Sequence, residues 1–154
     1  MTLFTNGFVT LQTPEDFNPI SNKGDFVELS LVNPNIPMTI KFLTTPTLAG
    51  LPDIKNAMEE QLSLNSDINV EIADFIAIND DIYYMIVSSI TTDKSEIKRN
   101  EFMFVKDNNL YSFEFVYPYA DAELDDFYLN IIRSLKIKKP KYIVSGEGYK
   151  INEE

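Results

Sequence analysis

The chain has 154 residues, of which 44% are hydrophobic, and its net charge is −11. This is enough for one domain with a buried core, which excludes global disorder, and no apolar run reaches the ~18 residues of a membrane span. Because the chain has no Cys and no His, disulfides, thiolate nucleophiles, histidine-based triads and most tight transition-metal sites are excluded, and its negative charge disfavours nucleic acid and anionic membranes.

The first third of the chain predicts three strands. "GFVTLQT" alternates apolar and polar residues, whereas "TPEDFNPISNKGD" is rich in loop-forming residues. "FVELSLV" and "MTIKFL" alternate again on either side of the turn "NPNIP". We therefore predict a hairpin in which Val27, Leu29 and Leu31 share one face.

The hydrophobic period then changes to that of a helix in "LPDIKNAMEEQLSLN". The residues that recur at helical spacing are Ile54, Met58, Gln61 and Leu62, and Leu51 precedes them. Pro52 and Asp53 suit the first turn of this helix. "NVEIADFIAI" and "IYYMIVSSI" return to the pattern of strands and are joined at "NDD". The second of them is nearly all apolar, which predicts a strand buried on both faces.

The clearest hairpin is "EFMFVKDNNLYSFEFVYP", preceded by the polar loop or solvated strand end "TTDKSEIKRN". Asn108 and Asn109 can supply the positive φ angles of a tight turn, so we predict that the hairpin turns there. Alternation predicts that four aromatic side chains are mainly buried beneath one of the two helices: Phe102, Phe104, Phe113 and Phe115.

A second helix is predicted from about Asp121 to Leu135. Its apolar face has the spacing of one helix side: Leu124, Phe127, Tyr128, Ile131, Ile132 and Leu135. Four acids fall at its start: Asp121, Glu123, Asp125 and Asp126. The stretch does not fit a calcium-binding loop that starts at Asp121. Position six should be Gly and is Asp126, and position twelve should be Glu and is Ile132. We predict that the acids cap the helix and interact with its dipole.

The C-terminal stretch "KIKKPKYIVSGEGYKINEE" begins with several Lys, and Pro140 stops the preceding helix. We predict one α/β domain over residues 1–138. Residues 139–154 are expected to form a solvated tail, with an edge strand at "KYIVS" as the alternative.

The order of elements resembles the Mog1/PsbP-like superfamily, which includes bacterial DcrB-type domains and the Eag-type chaperones of type VI secretion effectors. The matching residues are Gly7, Phe8, Val9, Pro14 and Phe17 near the start, and Phe127, Ile131, Ile132, Ser134 and Leu135 near the end. The resemblance implies an α+β protein, an α/β/α sandwich whose central, mainly antiparallel sheet has helices packed on its faces. It also implies binding of a partner rather than catalysis, and it transfers no functional motif.

The first functional hypothesis is a non-catalytic protein-binding module: an adaptor, a secretion-effector chaperone or a toxin-neutralising immunity protein. Its partner is expected to be basic or to expose apolar segments, and a homodimer is an open alternative. We expect no catalytic, cofactor-binding or metal-binding residues. The N-terminus has neither a basic region nor a continuous apolar stretch, so we expect a cytoplasmic protein without a signal peptide.

Two other hypotheses remain. A carboxylate-dependent small-molecule enzyme could use Asp74, which shares parity with Val70, Ile72, Ile76 and Ile78, so that an unbroken strand would bury it and raise its pKa. A bulge at residues 73–74, or an open sheet edge, would turn Asp74 outward instead, and this is the outcome that we favour. The last hypothesis is a structural subunit or a surface lipoprotein domain.

Overall fold

A computed structural model of the chain describes residues 2–21, 24–35, 37–93, 95–118 and 127–153. The helices are α1 (Leu51–Ser63) and α2 (Phe127–Arg133). The strands are β1 (Thr2–Thr5), β2 (Val9–Thr13), β3 (Asn18–Pro19), β4 (Val27–Val32), β5 (Thr39–Pro46), β6 (Ile68–Ile78), β7 (Asp81–Thr91), β8 (Glu96–Lys106), β9 (Asn109–Pro118), β10 (Lys136–Ile137), β11 (Tyr142–Ser145) and β12 (Gly148–Ile151).

The main sheet has seven strands in the order β3-β4-β5-β9-β8-β7-β6, and every neighbouring pair is antiparallel. A smaller sheet, β1-β2-β10, packs with α2 on one face of the main sheet, where most of the core lies. Helix α1 packs on the other face. This arrangement confirms the expected α+β class and the helices on both faces of an antiparallel sheet.

Helix α1 packs through the predicted apolar side. Leu51, Ile54, Met58 and Leu62 contact a cluster formed by Tyr84, Ile86 and Met103. Pro52 lies in the first turn together with Asp53, as predicted. None of the helix residues is fully buried, so α1 covers the sheet without being enclosed by it.

The four aromatic side chains of the β8–β9 hairpin lie in the core, where Phe102 and Phe115 are fully buried. The predicted position beneath a helix is confirmed, because the ring of Tyr128 on α2 lies 5.4 Å from Phe102 and 4.8 Å from Phe115. The remaining two, Phe104 and Phe113, are also buried.

The predicted turn of this hairpin is wrong by one residue. The turn residues are Asp107 and Asn108, with φ of 50° and 60°, and Lys106 pairs with Asn109. Asp and Asn both tolerate positive φ, so the local sequence "DNN" permits either turn. The shift moves every cross-strand partner by two residues, which leaves the buried face unchanged and changes which side chains face each other.

Two β-bulges alter the predicted faces. The bulge between Val27 and Leu29 places Val27 opposite Leu43 and Leu29 opposite Phe42, so Val27 does not share the face of Leu29. The second bulge lies between Val70 and Ile72, so a bulge at residues 73–74 was the wrong position. Because a bulge inserts an extra residue, the parity of all residues beyond it is reversed.

Helix α2 is described from Phe127 onward and ends at Arg133, two residues before the predicted end. Tyr128, Ile131 and Ile132 are buried, as their spacing predicts. The acidic residues at the predicted helix start lie outside the described residues, so their capping role stays a prediction. After α2 the chain continues directly into β10, which pairs with β2.

The stretch "KYIVS" forms the strand β11, but this strand pairs with β12 in a two-stranded sheet of its own instead of extending the main sheet. Tyr142 of this C-terminal hairpin is buried, and its ring packs edge-on against Phe26. Lys141 forms an ion pair with Glu28 of β4. Residues 141–152 are therefore packed against the sheet, whereas the division of the chain at residue 138 stays a prediction.

Candidate binding surface

Strand β6 forms one edge of the main sheet. Among the described strands it pairs with β7 alone, through ten residue pairs whose register shifts at the bulge between Val70 and Ile72. The opposite edge is β3, which has two residues and contains Pro19, and a short edge with Pro resists pairing with other chains. The long edge at β6 therefore offers a row of backbone donors and acceptors to which another extended chain can bind.

Large apolar side chains flank this edge on both faces. Val70, Ile72 and Phe75 of β6 are 39%, 47% and 40% exposed, and Ile82 of β7 is 52% exposed. A cleft of about 370 Å³ adjoins them, lined by Leu51, Pro52, Phe75, Ile82, Phe104 and Val105. We call the strand β6 and this cleft the β6 edge. Its exposed apolar surface is continuous with the start of α1.

The β6 edge is acidic. Between residues 67 and 81 the sequence has no Lys or Arg, and its acids are Asp67, Glu71, Asp74, Asp80 and Asp81. All five are exposed. The whole chain has a net charge of −11, and these five carboxylates are part of it. The electrostatic potential near the strand therefore favours a cationic partner.

Asp74 lies in the middle of this edge and is exposed. Its Oδ1 accepts a hydrogen bond of 2.8 Å from the backbone N–H of Phe75. The carboxylate is exposed because no strand among the described residues lies on the outer side of β6. An open sheet edge was one of the two explanations that the sequence left open. The buried Asp74 on which the enzyme hypothesis depended is therefore not found.

The structure brings together another pair of acids that the sequence analysis missed. Glu101 of β8 and Glu114 of β9 are direct cross-strand partners. The guanidinium group of Arg99 contacts both carboxylates. Its Nε lies 2.7 Å from a carboxylate oxygen of Glu101, and a terminal nitrogen lies 3.2 Å from one of Glu114. The predicted turn would have paired Glu101 with Val116, so only the corrected register could have revealed this pair.

Burial raises the pKa of Glu101 and the charge of Glu114 raises it further, whereas Arg99 acts in the opposite direction. A carboxyl pair with one raised pKa can serve an acid–base mechanism. Here, however, the guanidinium of Arg99 contacts both carboxylates. The arrangement is that of a cross-strand ion-pair network, which stabilises the pairing of β8 and β9.

A groove of about 770 Å³ lies beside this network, next to Lys41, which is the cross-strand partner of Glu114. Its other lining residues are Pro19, Ile20, Ser21, Gly24, Val27 and Ser30, and neither Glu101 nor Glu114 lines it. It therefore contains one cation and two hydroxyl groups but no carboxylate pair.

Buried tyrosines offer no base either. Burial and the nearby charges of Asp107 and Glu28 raise the pKa of Tyr111 to about 12, and burial also raises the pKa of Tyr83. Both hydroxyls therefore remain protonated at neutral pH. Within the described residues no three His, Cys, Asp or Glu side chains are grouped as metal ligands, and no described helix has the length and apolar character needed to cross a membrane.

No protein-family model and no curated protein matches this sequence. Solved structures do match. Cyanobacterial PsbP (CyanoP) from Synechocystis sp. PCC 6803 superimposes with a TM-score of 0.69 at 8% identity, covering 88% of this chain and 91% of that one. LpqN, involved in cell envelope biogenesis of Mycobacterium tuberculosis, superimposes with a TM-score of 0.67 at 10% identity, covering 88% and 89%.

The immunity protein TplEi of the T6SS of Pseudomonas aeruginosa is also similar. Its apo structure superimposes with a TM-score of 0.55 at 11% identity, covering 71% of this chain and 43% of TplEi. Its complex with the "L" peptide superimposes with a TM-score of 0.54 at 12% identity, covering 85% and 59%. At these identities the likenesses show the fold alone. That fold is Mog1/PsbP-like, as the resemblance of the sequence implied.

Proposed function

We propose that the protein is a non-catalytic protein-binding module that takes up an extended, basic segment of another protein at the β6 edge. The observation that carries this proposal is the 11-residue strand β6, which pairs with β7 alone among the described strands and is flanked by exposed apolar side chains. Such a strand supplies backbone hydrogen bonds for affinity, and its neighbouring side chains supply specificity.

The cleft beside β6 adds an anchoring site. Its walls are apolar, from Leu51 and Pro52 at the start of α1 to Phe75 and Ile82 at the edge. Apolar or aromatic side chains that fill such a cleft contribute most of the binding energy in many protein interfaces. A partner segment with one apolar anchor and several basic residues fits both the cleft and the charge of the edge.

The biological setting that we propose is the one expected from the sequence, an adaptor, secretion-effector chaperone or immunity protein that acts in the cytoplasm. Its support is the shared fold of the immunity protein TplEi, which has been solved in complex with the "L" peptide. The acidic charge also suits neutralisation of a basic toxin, because complementary charge accelerates association.

The proposal is tested by selecting binders from a phage library of nine-residue peptides and measuring their affinity for two matched variants. Ile72→Lys alters the β6 edge, and Ile143→Lys alters the C-terminal hairpin at a side chain of nearly equal exposure, 47% against 44%. Both variants should keep the circular dichroism spectrum and the melting temperature of the wild type, because both positions are exposed.

Ile72→Lys should weaken binding at least about tenfold, since it removes an apolar contact and repels a basic segment. Ile143→Lys should change the affinity less than about twofold. If the two variants weaken binding equally, or if neither does, the partner binds elsewhere and the proposed function at the β6 edge is wrong.

A further inference from the structure

Asp74 occupies a position that is unusual for a charged residue. It pairs with Met85 of β7, and it lies on the face of β6 that also carries Ile76, which pairs with the buried Tyr83. This face is the one that packs against α2 and the main core. By this parity the side chain of Asp74 leaves the backbone on the core face of the sheet, at its outermost strand, where the absence of a further described strand leaves it exposed.

Open edges in natural sheets are protected against pairing with other copies by Lys, by Pro, by bulges or by charged residues on the inward face. Strand β6 has no Lys, Arg or Pro. It has the bulge between Val70 and Ile72, and beyond the bulge the inward charge of Asp74. From Ile72 to Ile78 this is the one charged side chain, so the protection of this half of the strand rests on Asp74.

Pairing of β6 with a second copy of itself would be opposed by charge. If two antiparallel copies of β6 paired with Asp74 at the centre of the pairing, the two Asp74 carboxylates would be directly opposite. A register shifted by three residues would place Asp74 opposite Glu71. Like charges in such positions destabilise a strand pair. The Oδ1 of Asp74 also holds the backbone N–H of Phe75, so the carboxylate lies against the backbone that an incoming strand approaches.

Building on the proposed function, we infer that Asp74 is the selectivity residue of the β6 edge: it admits a strand that carries Lys or Arg beside it and rejects a second copy of this chain. In an added strand, the residue directly opposite lies on the same face, with its Cβ about 4.5–5.5 Å from that of Asp74. A cationic side chain there pairs with the carboxylate, whereas an acidic one is repelled.

The first test uses three synthetic nine-residue peptides of alternating threonine and valine that differ only in the central residue: lysine, threonine or glutamate. Affinities are measured by NMR titration of the full chain, which also locates the perturbed amides. The lysine peptide should bind about three- to fivefold more tightly than the threonine peptide, and the glutamate peptide more weakly than either.

Asp74→Asn should abolish this ranking. Asp16→Asn is the matched control, because it removes the same charge at an exposed position next to β3, at the opposite edge of the sheet, and it should preserve the ranking. If none of the peptides perturbs β6 amides, the proposed function itself fails. If all three bind at β6 with equal affinity, or if Asp74→Asn preserves their ranking, the inference fails and the proposed function stands.

The second test measures the oligomeric state of Asp74→Val by sedimentation velocity at protein concentrations up to about 0.5 mM. The wild type should be monomeric, and the variant should dimerise or associate further, because its edge has lost the inward charge. Ile143→Val, a control at an exposed position of the C-terminal hairpin, should stay monomeric. A wild type that already dimerises through β6, or an Asp74→Val variant that stays monomeric, would overturn the inference.

Discussion

The side chain of Asn109 forms a pair of hydrogen bonds with the backbone of Tyr142. The amide N–H of Tyr142 donates to Oδ1, and Nδ2 donates to the carbonyl oxygen of Tyr142, both at 3.0 Å. Asn109 is fully buried. The side-chain amide thus takes the place of a neighbouring strand, and it holds the C-terminal hairpin against the first residue of β9.

Replacing Asn109 with Ala should detach this hairpin. The substitution leaves the buried N–H and carbonyl groups of Tyr142 without partners, which should lower the free energy of unfolding by about 2–4 kcal/mol in a urea titration. Hydrogen exchange should become faster for residues 142–151 in particular. The control is Asn108→Gly, because Asn108 has a positive φ of 60° that glycine adopts freely. Unchanged exchange in the hairpin would show that other contacts hold it.

Truncation of Phe113 to Ala should destabilise the protein strongly, because the ring lies in the core. Its ring is 1% exposed and lies 4.9 Å from the ring of Phe42. Phe113→Ala should therefore lower the free energy of unfolding by roughly 3–5 kcal/mol in a denaturant titration. Leu64→Ala is the control, since Leu64 is 83% exposed and should have little effect. A loss below about 1 kcal/mol for Phe113→Ala would contradict the burial of this ring in the core.

Alternation and helical spacing predicted most of the elements correctly, because these patterns reflect burial on one face, which the sequence records directly. They missed the short strands β1, β3, β10 and β12. Of these, β3 and β10 have two residues each, which is too short for an alternating pattern to be recognised. The stretch "DNN" permitted two turns, and what distinguishes them is the burial of Asn109 against Tyr142, a contact 33 residues away.

The candidate site could be predicted only in part. The sequence identifies the acidic and apolar residues of "NVEIADFIAI". It also led to the alternative that an open sheet edge exposes Asp74. The order of the strands in the sheet could not be predicted, and it is this order that leaves the outer side of β6 without a neighbour among the described strands. The pair of Glu101 and Glu114 was hidden because a two-residue change of register separates the predicted partners from the observed ones.

The stability of the protein should depend on pH through Glu101. Its folded pKa lies above the unfolded value near 4.5, chiefly because of burial and then because of Glu114. Between these two pKa values the folded state binds the proton that the unfolded chain has lost. The free energy of unfolding that Glu101 contributes therefore falls as the pH rises through this interval.

Glu101→Gln should remove this dependence, so that the stability of the variant relative to the wild type increases as the pH rises above 4.5. Urea titrations at several pH values measure the difference. Glu114→Gln should lower the pKa of Glu101, because it removes a neighbouring negative charge, and carbon-13 NMR of the carboxyl groups detects this change. If the free energies of unfolding of Glu101→Gln and of the wild type change equally with pH, the raised pKa of Glu101 is contradicted.

Salt should slow the association of the protein with a basic partner. The Debye length falls from about 10 Å at 0.1 M to about 3 Å at 1 M, which screens the attraction between the partner and the acidic β6 edge. With a phage-selected basic peptide fused to a carrier protein, the association rate should drop steeply over this range and the dissociation rate should change less. A flat association rate with a large negative heat-capacity change would instead indicate recognition of apolar segments.

Amide hydrogen exchange of β6 tests the central claim most directly. In the free protein, those amides of residues 68–78 that are not hydrogen-bonded to β7 should exchange rapidly, because no described strand lies on the outer side. The amide of Phe75 is the exception, since it donates to Asp74 Oδ1. A selected basic peptide at saturating concentration should slow the exchange of these amides, since strand addition gives each of them a carbonyl partner. If their exchange is unchanged while protection appears elsewhere, for example around Lys41 and the groove beside it, binding does not occur at the β6 edge.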